Sequence, residues 1–265
     1  MPAGAIAIEN PVGTAPAFIV ETGCNAIISL PGVPREMETL MAQVVIPYLQ
    51  KRYDLHEIIR IRTLHTGGVG EAWIDEQIGD LEALVNPTVG LTAHSGIIDI
   101  RIAAKAETEA EAGRMVAEIE ADIRQRLGMV IYGADEDTLE GVTLQAVGKR
   151  GWSLACLEAG LDGALIERLA RVQNPAFLGG SRLEVPPEGL AEALEEVRRD
   201  KNSSLALGIA LSILGEQQNI TIHVLTPQGN EERHLTYGGH PRNAPRWATN
   251  IGLNILRRRA QGISD

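Results

Sequence analysis

Between residues 134 and 265, short apolar runs of strand length alternate with stretches of helical period, and this alternation constrains the fold more than any other feature. Thr138 is placed to cap a helix running to Lys149. Trp152 to Leu157 reads as a strand, and the turn Gly160-Leu161-Asp162-Gly163 leads into a helix ending near Val172. Leu205 to Leu211 and Ile220 to Leu225 are apolar runs of strand length. From Asn243 a final helix carries Trp247, Ile251, Leu253 and Ile255. Residues 134–265 are therefore expected to form a layered α/β domain. Apolar residues make up 44% of the chain and aromatic ones only 3%, so its packing rests on Ala, Val, Leu and Ile, which suits such layers.

The preceding segment, residues 51–133, reads as a small α+β unit in the order strand, helix, strand, helix, strand. Ile58 to Leu64 alternates. A tight loop, Thr66-Gly67-Gly68-Val69-Gly70, opens a helix with Trp73, Ile74, Ile78 and Leu81. Gly96 to Ala103 alternates again, with Asp99 and Arg101 facing away from Ile98, Ile100 and Ile102. Glu107 to Leu127 is an acidic amphipathic helix, and Met129 to Tyr132 a last short strand. In residues 1–50, Asn10 to Gly13 forms a turn, Ala26 to Leu30 a buried strand, and a helix starts at Pro34 with Met37, Leu40, Met41, Val44 and Val45 at helical spacing.

The net charge of −11 and a pI near 5.1 argue against strong nucleic-acid binding, which needs basic surface to displace counterions, and against anionic membranes. Residues 51–133 hold nine basic against fourteen acidic side chains. Cys24 and Cys156 are too far apart and too few for a disulfide framework or zinc site, and the six histidines show no metal-ligand spacing. No apolar run reaches membrane-spanning length, and the first residues carry no basic signal-peptide region, so a reducing cytoplasm is the expected compartment.

Four motifs, in one order and at consistent spacing, resemble those of the CinA family of competence/damage-inducible proteins. Asn10-Pro11-Val12-Gly13-Thr14-Ala15-Pro16-Ala17-Phe18 is similar to N-x-x-G-T-A-P-G-F. Leu30-Pro31-Gly32-Val33-Pro34-Arg35-Glu36-Met37 is similar to L-P-G-V-P-x-E-M. Thr66 to Glu71 resembles T-x-G-I-G-E, and Phe177-Leu178-Gly179-Gly180 resembles F-x-G-G. The resemblance implies three parts: residues 1–50 as a remnant of a molybdopterin-binding-like domain, 51–133 as a KH-like domain, and 134–265 as a nicotinamide-nucleotide amidohydrolase-like domain. Some members are credited with ADP-ribose pyrophosphatase activity in the first part. The third would convert nicotinamide mononucleotide to the nicotinate form and ammonia. Because the chain starts nine residues before Asn10, it is expected to lack much of the first domain, and pterin or pyrophosphatase chemistry is not assigned to it.

The amidohydrolase pattern is broken where the chemistry would sit. The family's A-E-S-C-T-G-G falls on Leu157-Glu158-Ala159-Gly160-Leu161-Asp162-Gly163, which puts the nucleophilic Ser on Ala159, and a methyl group cannot attack a carbonyl. The family's Tyr and Lys fall on Glu184 and Gly189, and the Thr of T-G-x-A-G-P on Ala210. Cys156 lies three positions from Ala159 and so points to the opposite face of a strand. No catalytic residue is therefore expected, nor any cofactor or metal.

What the resemblance leaves is a residual nucleotide pocket: Glu158, Gly163, Gly179, Gly180 and the arginines Arg242 and Arg246, whose spacing of four puts them on one helix face. The family also implies a homodimer. The expectation is a catalytically inactive CinA-like protein with nucleotide-binding or assembly functions. The alternatives are an active nicotinamide mononucleotide deamidase, and an RNA-binding accessory protein acting through Gly67-Gly68-Val69-Gly70 as a G-x-x-G clamp. That loop has no Lys or Arg in or beside it, which favours a plain strand–helix turn.

Overall fold

A computed structural model describes residues 1–214 and 217–263, with only the backbone described at Leu214. Its contacts divide the chain into two compact units, residues 1–58 with 106–108, and residues 59–105 with 109–265.

In the smaller unit, β1 (Ile6–Ile8), β2 (Ala17–Thr22) and β3 (Asn25–Ser29) form an antiparallel sheet in that order. The helical run from Pro34 is α1 (Pro34–Leu40), a π-helical turn at Met41–Val45, and α2 (Ile46–Tyr53). Ile8, Ala17, Ile19, Leu40 and Val45 form the core. The two N-terminal motifs meet here. The Asn10 amide donates to the Ala15 carbonyl (3.1 Å) and to Glu36 Oε2 (2.6 Å), and the Glu36 carboxylate occupies the space that a Cβ on Gly13 would need.

The larger unit begins with β4 (Ile58–Gly67), α3 (Glu71–Glu82), β5 (Thr88–His94), β6 (Ile97–Ala106), α4 (Glu109–Leu127) and β7 (Ile131–Ala134). The sheet order is β5-β6-β4-β7. This corrects the expected five-element order by one strand: β5 pairs antiparallel with β6 across Ser95 and Gly96, both at positive φ (51° and 79°). A two-residue turn with both central residues left-handed is the hairpin geometry that matches strand twist.

The rest is α5 (Leu139–Lys149), β8 (Leu154–Ala159), α6 (Ile166–Arg171), β9 (Phe177–Arg182), α7 (Leu190–Asp200), β10 (Leu205–Leu214), β11 (Gln217–Thr226), β12 (Gly229–Tyr237) and α8 (Ala244–Gln261). The sheet order is β12-β11-β10-β8-β9, with β9, β8 and β10 parallel and β11 and β12 antiparallel. Strand alternation gives it two apolar faces. Leu154, Cys156, Leu207 and Ile209 face a core with α5, α6 and α8, while Ala155, Leu157, Ala159 and Ala206 face Leu190, Leu194 and Val197 of α7. Thr138 caps α5, its Oγ1 accepting the Gly141 N–H at 3.2 Å. The protein is thus a mixed α/β molecule, a small α+β sheet unit followed by a layered α/β one. No helix among the described residues is long and apolar enough to cross a membrane.

Candidate functional site

β8 is buried throughout and ends where a nucleophile would be displayed. Ala159 is 6% exposed and packs in the α7-side core with Leu190 and Leu194. Cys156 points into the opposite core; it is fully buried, and burial, with the Glu158 charge adding, pushes its thiol well above the usual range. The chain leaves β8 through Gly160, Asp162 and Gly163, all at positive φ (70°, 53° and 92°). Gly189 lies at the start of α7, and Glu184 is exposed. The stretch expected to match T-G-x-A-G-P lies in β10 up to Leu214, while its last residue, Gly215, falls outside the described residues.

Glu158 is 2% exposed and committed to the fold. Its Oε2 accepts the N–H groups of Leu165 (3.0 Å) and Ile166 (3.1 Å), and its Oε1 lies 3.0 Å from Nε of Arg182. Arg182 in turn donates to Glu167 Oε1 at 2.7 Å. Its guanidinium fills the space beside Gly163. At Gly180 a Cβ would come 2.6 Å from the Cys156 carbonyl and 2.8 Å from Ile166, so this glycine lets β9 lie against β8 and α6. Gly179 is at φ 101°. Arg242 sits in a 3-10 turn, Pro241–Asn243, ahead of α8, and Arg246 in the first turn of α8. The spacing of four does not put the two on one α-helical face, because the helix starts between them.

Of the residues singled out from the sequence, Gly163 and Arg246 come together in a cleft of about 510 Å³. Glu158 and Gly180 join β8, α6 and β9, whereas Gly179 and Arg242 do not line this cleft. Its other wall was not foreseen and comes from the four-stranded sheet. His65 Nδ1 lies 2.7 Å from Asp99 Oδ1, and its Nε2 lies 2.8 Å from the Asp135 carbonyl. The ring stacks on Tyr132 at 5.7 Å, and His94 Nε2 is 3.6 Å from the other oxygen of Asp99. Across the cleft Arg168 pairs with Glu140 at 2.7 Å and donates to Asn250 Oδ1. The open-face position of Asp99 was readable from strand alternation; its pairing with His65 depends on β4 lying beside β6, which alternation does not specify.

A neutral imidazole donates from one nitrogen only, yet both nitrogens of His65 face acceptor oxygens, so the imidazolium fits better. Burial alone would lower its pKa. The Asp99 and Asp135 hydrogen bonds outweigh burial, with the charges of Asp99 and Asp137 adding, and hold it above the ordinary histidine value. A raised folded pKa means the native state binds the extra proton. The resulting stabilisation is full below the unfolded value, about 6.5, and is lost as pH rises through the folded value. The unfolding free energy from urea titrations should therefore fall from pH 6 upward with a slope of at most about 1.4 kcal/mol per pH unit from this group. His65→Gln should remove that slope; an identical pH profile in the variant would show that His65 does not carry it.

The G-x-x-G loop backs onto α8. The Asn254 side chain fills the space beside Gly67 and Gly68, and Trp247 approaches Gly96 so that a Cβ there would sit 3.1 Å from the indole. The Asn250 amide donates to the Ser95 carbonyl at 2.8 Å. The two glycines thus admit a helix of the same unit. No group of three or more His, Cys, Asp or Glu side chains among the described residues is arranged to hold a metal ion.

The family model described as "Damage-inducible protein CinA KH domain" matches residues 61–133. A CinA-like protein of Thermomicrobium roseum is 36% identical over 196 residues, covering 73% of this chain and 48% of that protein. One of Deinococcus deserti is 39% identical over 173 residues, covering 65% and 41%. The chain spans about half the length, or less, of the curated relatives it matches. Among solved structures, a competence or damage-inducible protein from Enterobacter asburiae aligns with 13% identity and a TM-score of 0.41 over 47% of this chain and 99% of that one. On the KH match and the relatives' identities, this chain belongs to the CinA family.

Proposed function

We propose that residues 134–265 keep an amidohydrolase-like fold without amide hydrolysis, so that the domain serves in ligand binding or assembly. The observation that carries this reading is the environment of Ala159. A methyl group stands at the end of β8, buried in the same apolar cluster as Leu190 and Leu194, and the next residue is a glycine in a left-handed turn. Nucleophilic catalysis needs a hydroxyl or thiolate with a base beside it. Cys156 faces the other core, and Glu158 is tied to the start of α6 and to Arg182.

The active-deamidase alternative predicts the opposite result in one assay. The full chain incubated with nicotinamide mononucleotide should release no ammonia above a protein-free blank. Ala159→Ser should also release none, because no lysine or tyrosine comes with the hydroxyl: Gly189 and Glu184 stand at those positions. Turnover by the unmodified chain overturns the reading, and turnover by the serine variant alone would show that the rest of the site is intact. The RNA-clamp alternative is disfavoured by Asn254 beside Gly67 and Gly68 and by the acidic balance of the unit. The homodimer that the resemblance implies belongs to the assembly part of the proposal.

A further inference from the structure

The two larger sheets end in β12 and β9, and in β5 and β7. Open sheet edges are usually blunted by charge, shortness or irregular pairing. β12 carries Glu231, Glu232 and Arg233, β9 has Gly179 at φ 101° and a register shift against β8, and β7 is four residues long. β5 has none of these devices. Its seven residues pair with β6 in unbroken register, and Thr-Val-Gly-Leu-Thr-Ala-His contains no Asp, Glu, Lys, Arg or Pro. In a two-residue hairpin the closing pair, here His94 and Ile97, is hydrogen-bonded, and hydrogen-bonded pairs alternate from there. The N–H and C=O groups of Val89, Leu91 and Ala93 therefore point away from β6 and form an open row.

α3 packs on β5, and its period sorts its side chains by direction. Ile74, Ile78 and Leu81 form the buried stripe. On the flank towards α4, the Gln77 carbonyl and Asp80 hold Arg126. Glu71, Asp75 and Glu82 fall within about 40° of one another on the opposite flank, at about 100° per residue. That flank overhangs the outer edge of β5, and Glu71 lines one hollow with Ala93 and His94. Burial first, then the charges of Asp75 and Glu71, hold the Glu82 carboxyl above the usual carboxylate range, so the three lie close together. None of them is paired with a cation among the described residues, and Glu82 Oε1 is buried without a partner.

We propose that the outer edge of β5 takes up an extended, basic segment of a partner protein as an added strand. The open row of Val89, Leu91 and Ala93 supplies a backbone ladder that any sequence can complete, and side chains decide which sequence does. Val89 and Leu91 pair with the buried Ile102 and Ile100, on the face that the helices cover. Partner residues opposite the open row turn their side chains to that same face. Lysine or arginine at those alternate positions meets Glu71, Asp75 and Glu82. Three alternate strand residues span roughly 14 Å, and the three carboxylates are spread over roughly 16 Å of α3. A second copy of the chain fits worse, because pairing β5 with itself brings two acidic flanks together. The inference goes beyond the reading of residues 134–265 and does not rest on it, since every residue involved precedes them.

The probe is a peptide blocked at both ends, Thr-Lys-Thr-Lys-Thr-Lys-Thr, titrated into the full chain at low ionic strength and followed by calorimetry and amide hydrogen exchange. It should bind saturably with a dissociation constant below about 0.5 mM, weaken as salt screens the charges, and slow exchange at Val89, Leu91 and Ala93. Asp75→Lys should weaken it about fivefold or more. Glu76→Lys makes the same charge change on an exposed position of α3 turned to solvent, and should leave it within about twofold. The same peptide N-methylated at its lysine amides keeps the charge, loses the donors and should not bind. Absence of saturable binding overturns the proposal. So does equal binding by the N-methylated peptide, an equal loss in the two variants, or unchanged exchange along β5. Protection of β5 that grows with protein concentration, without peptide, would assign the edge to a second copy and overturn the basic partner.

Discussion

Arg257→Ala is expected to lower the stability of the larger unit by about 3–5 kcal/mol, read as a shift in urea midpoint at unchanged slope. Arg257 is 1% exposed, the largest of the fully buried side chains, and among the described residues no carboxylate pairs with it. Neutral acceptors hold it instead. Nε and one terminal nitrogen donate to Asn254 Oδ1 at 3.1 and 2.9 Å, that same terminal nitrogen donates to the Met129 carbonyl at 3.1 Å, and the other to Gln261 Oε1 at 3.1 Å. Burial, with the charge of Arg258 adding, pulls its pKa down to about 10, so it stays charged at neutral pH. Truncation leaves a large cavity and deprives the Met129 carbonyl and Asn254 of their donor.

Asn254 is the side chain that fills the space beside Gly67 and Gly68, so the loss should extend to the packing of α8 against the G-x-x-G loop. Arg257→Met separates volume from charge. It keeps most of the bulk and removes a buried charge, which is expensive to desolvate, but leaves the same acceptors unpaired; a loss of about 1–2 kcal/mol is expected. An alanine variant within about 1 kcal/mol of the parent would mean that the guanidinium is not structural.

The elements that the sequence made legible are those whose burial pattern matches one period over several residues. β10, β11, α4 and α8 carry long apolar faces and were recognised, although β10 runs three residues beyond Leu211 and β11 starts three before Ile220. β9, α7 and β12 were not read. β9 contains two adjacent glycines, which weaken any strand signal, and these are tolerated because Gly180 lets β9 approach the Cys156 carbonyl. β12 is an edge strand, Gly-Asn-Glu-Glu-Arg-His-Leu-Thr-Tyr, whose charged residues are what a free edge requires and what alternation of apolar residues misses. α7 carries a readable signal, since Leu190, Leu194 and Val197 recur at helical spacing, although no element is assigned to it from the sequence above. At the site, the alanine at the end of β8 was legible because it is a matter of residue identity. The His65–Asp99 pair, the Arg168–Glu140 pair and the role of Glu158 were not, because each joins elements 28 or more residues apart or, for Glu158, requires knowing where α6 begins.

Gly160→Ala is expected to cost about 3 kcal/mol or more, and it bears on the inactivity proposed for residues 134–265. Gly160 is at φ 70°, where a side chain costs about 1–2 kcal/mol by itself. A Cβ there would also be driven into the carbonyl oxygen of Leu211, well inside contact distance. That oxygen cannot move aside cheaply. Leu211 follows Ala210, which pairs with Ala159 on β8, and Leu211 itself pairs with Ile220 on β11, so its peptide is held from both sides in the middle of the sheet. In the CinA pattern this position carries Cys beside the nucleophilic Ser. Gly160→Cys should therefore be at least as destabilising as Gly160→Ala, and Ala159→Ser combined with Gly160→Cys should unfold the unit before it recovers hydrolysis. Urea midpoints of the three variants test this: a Gly160→Cys variant as stable as the parent would mean that the turn after β8 still accepts the family's side chains, and the proposed inactivity would then rest on Ala159, Glu184 and Gly189 alone.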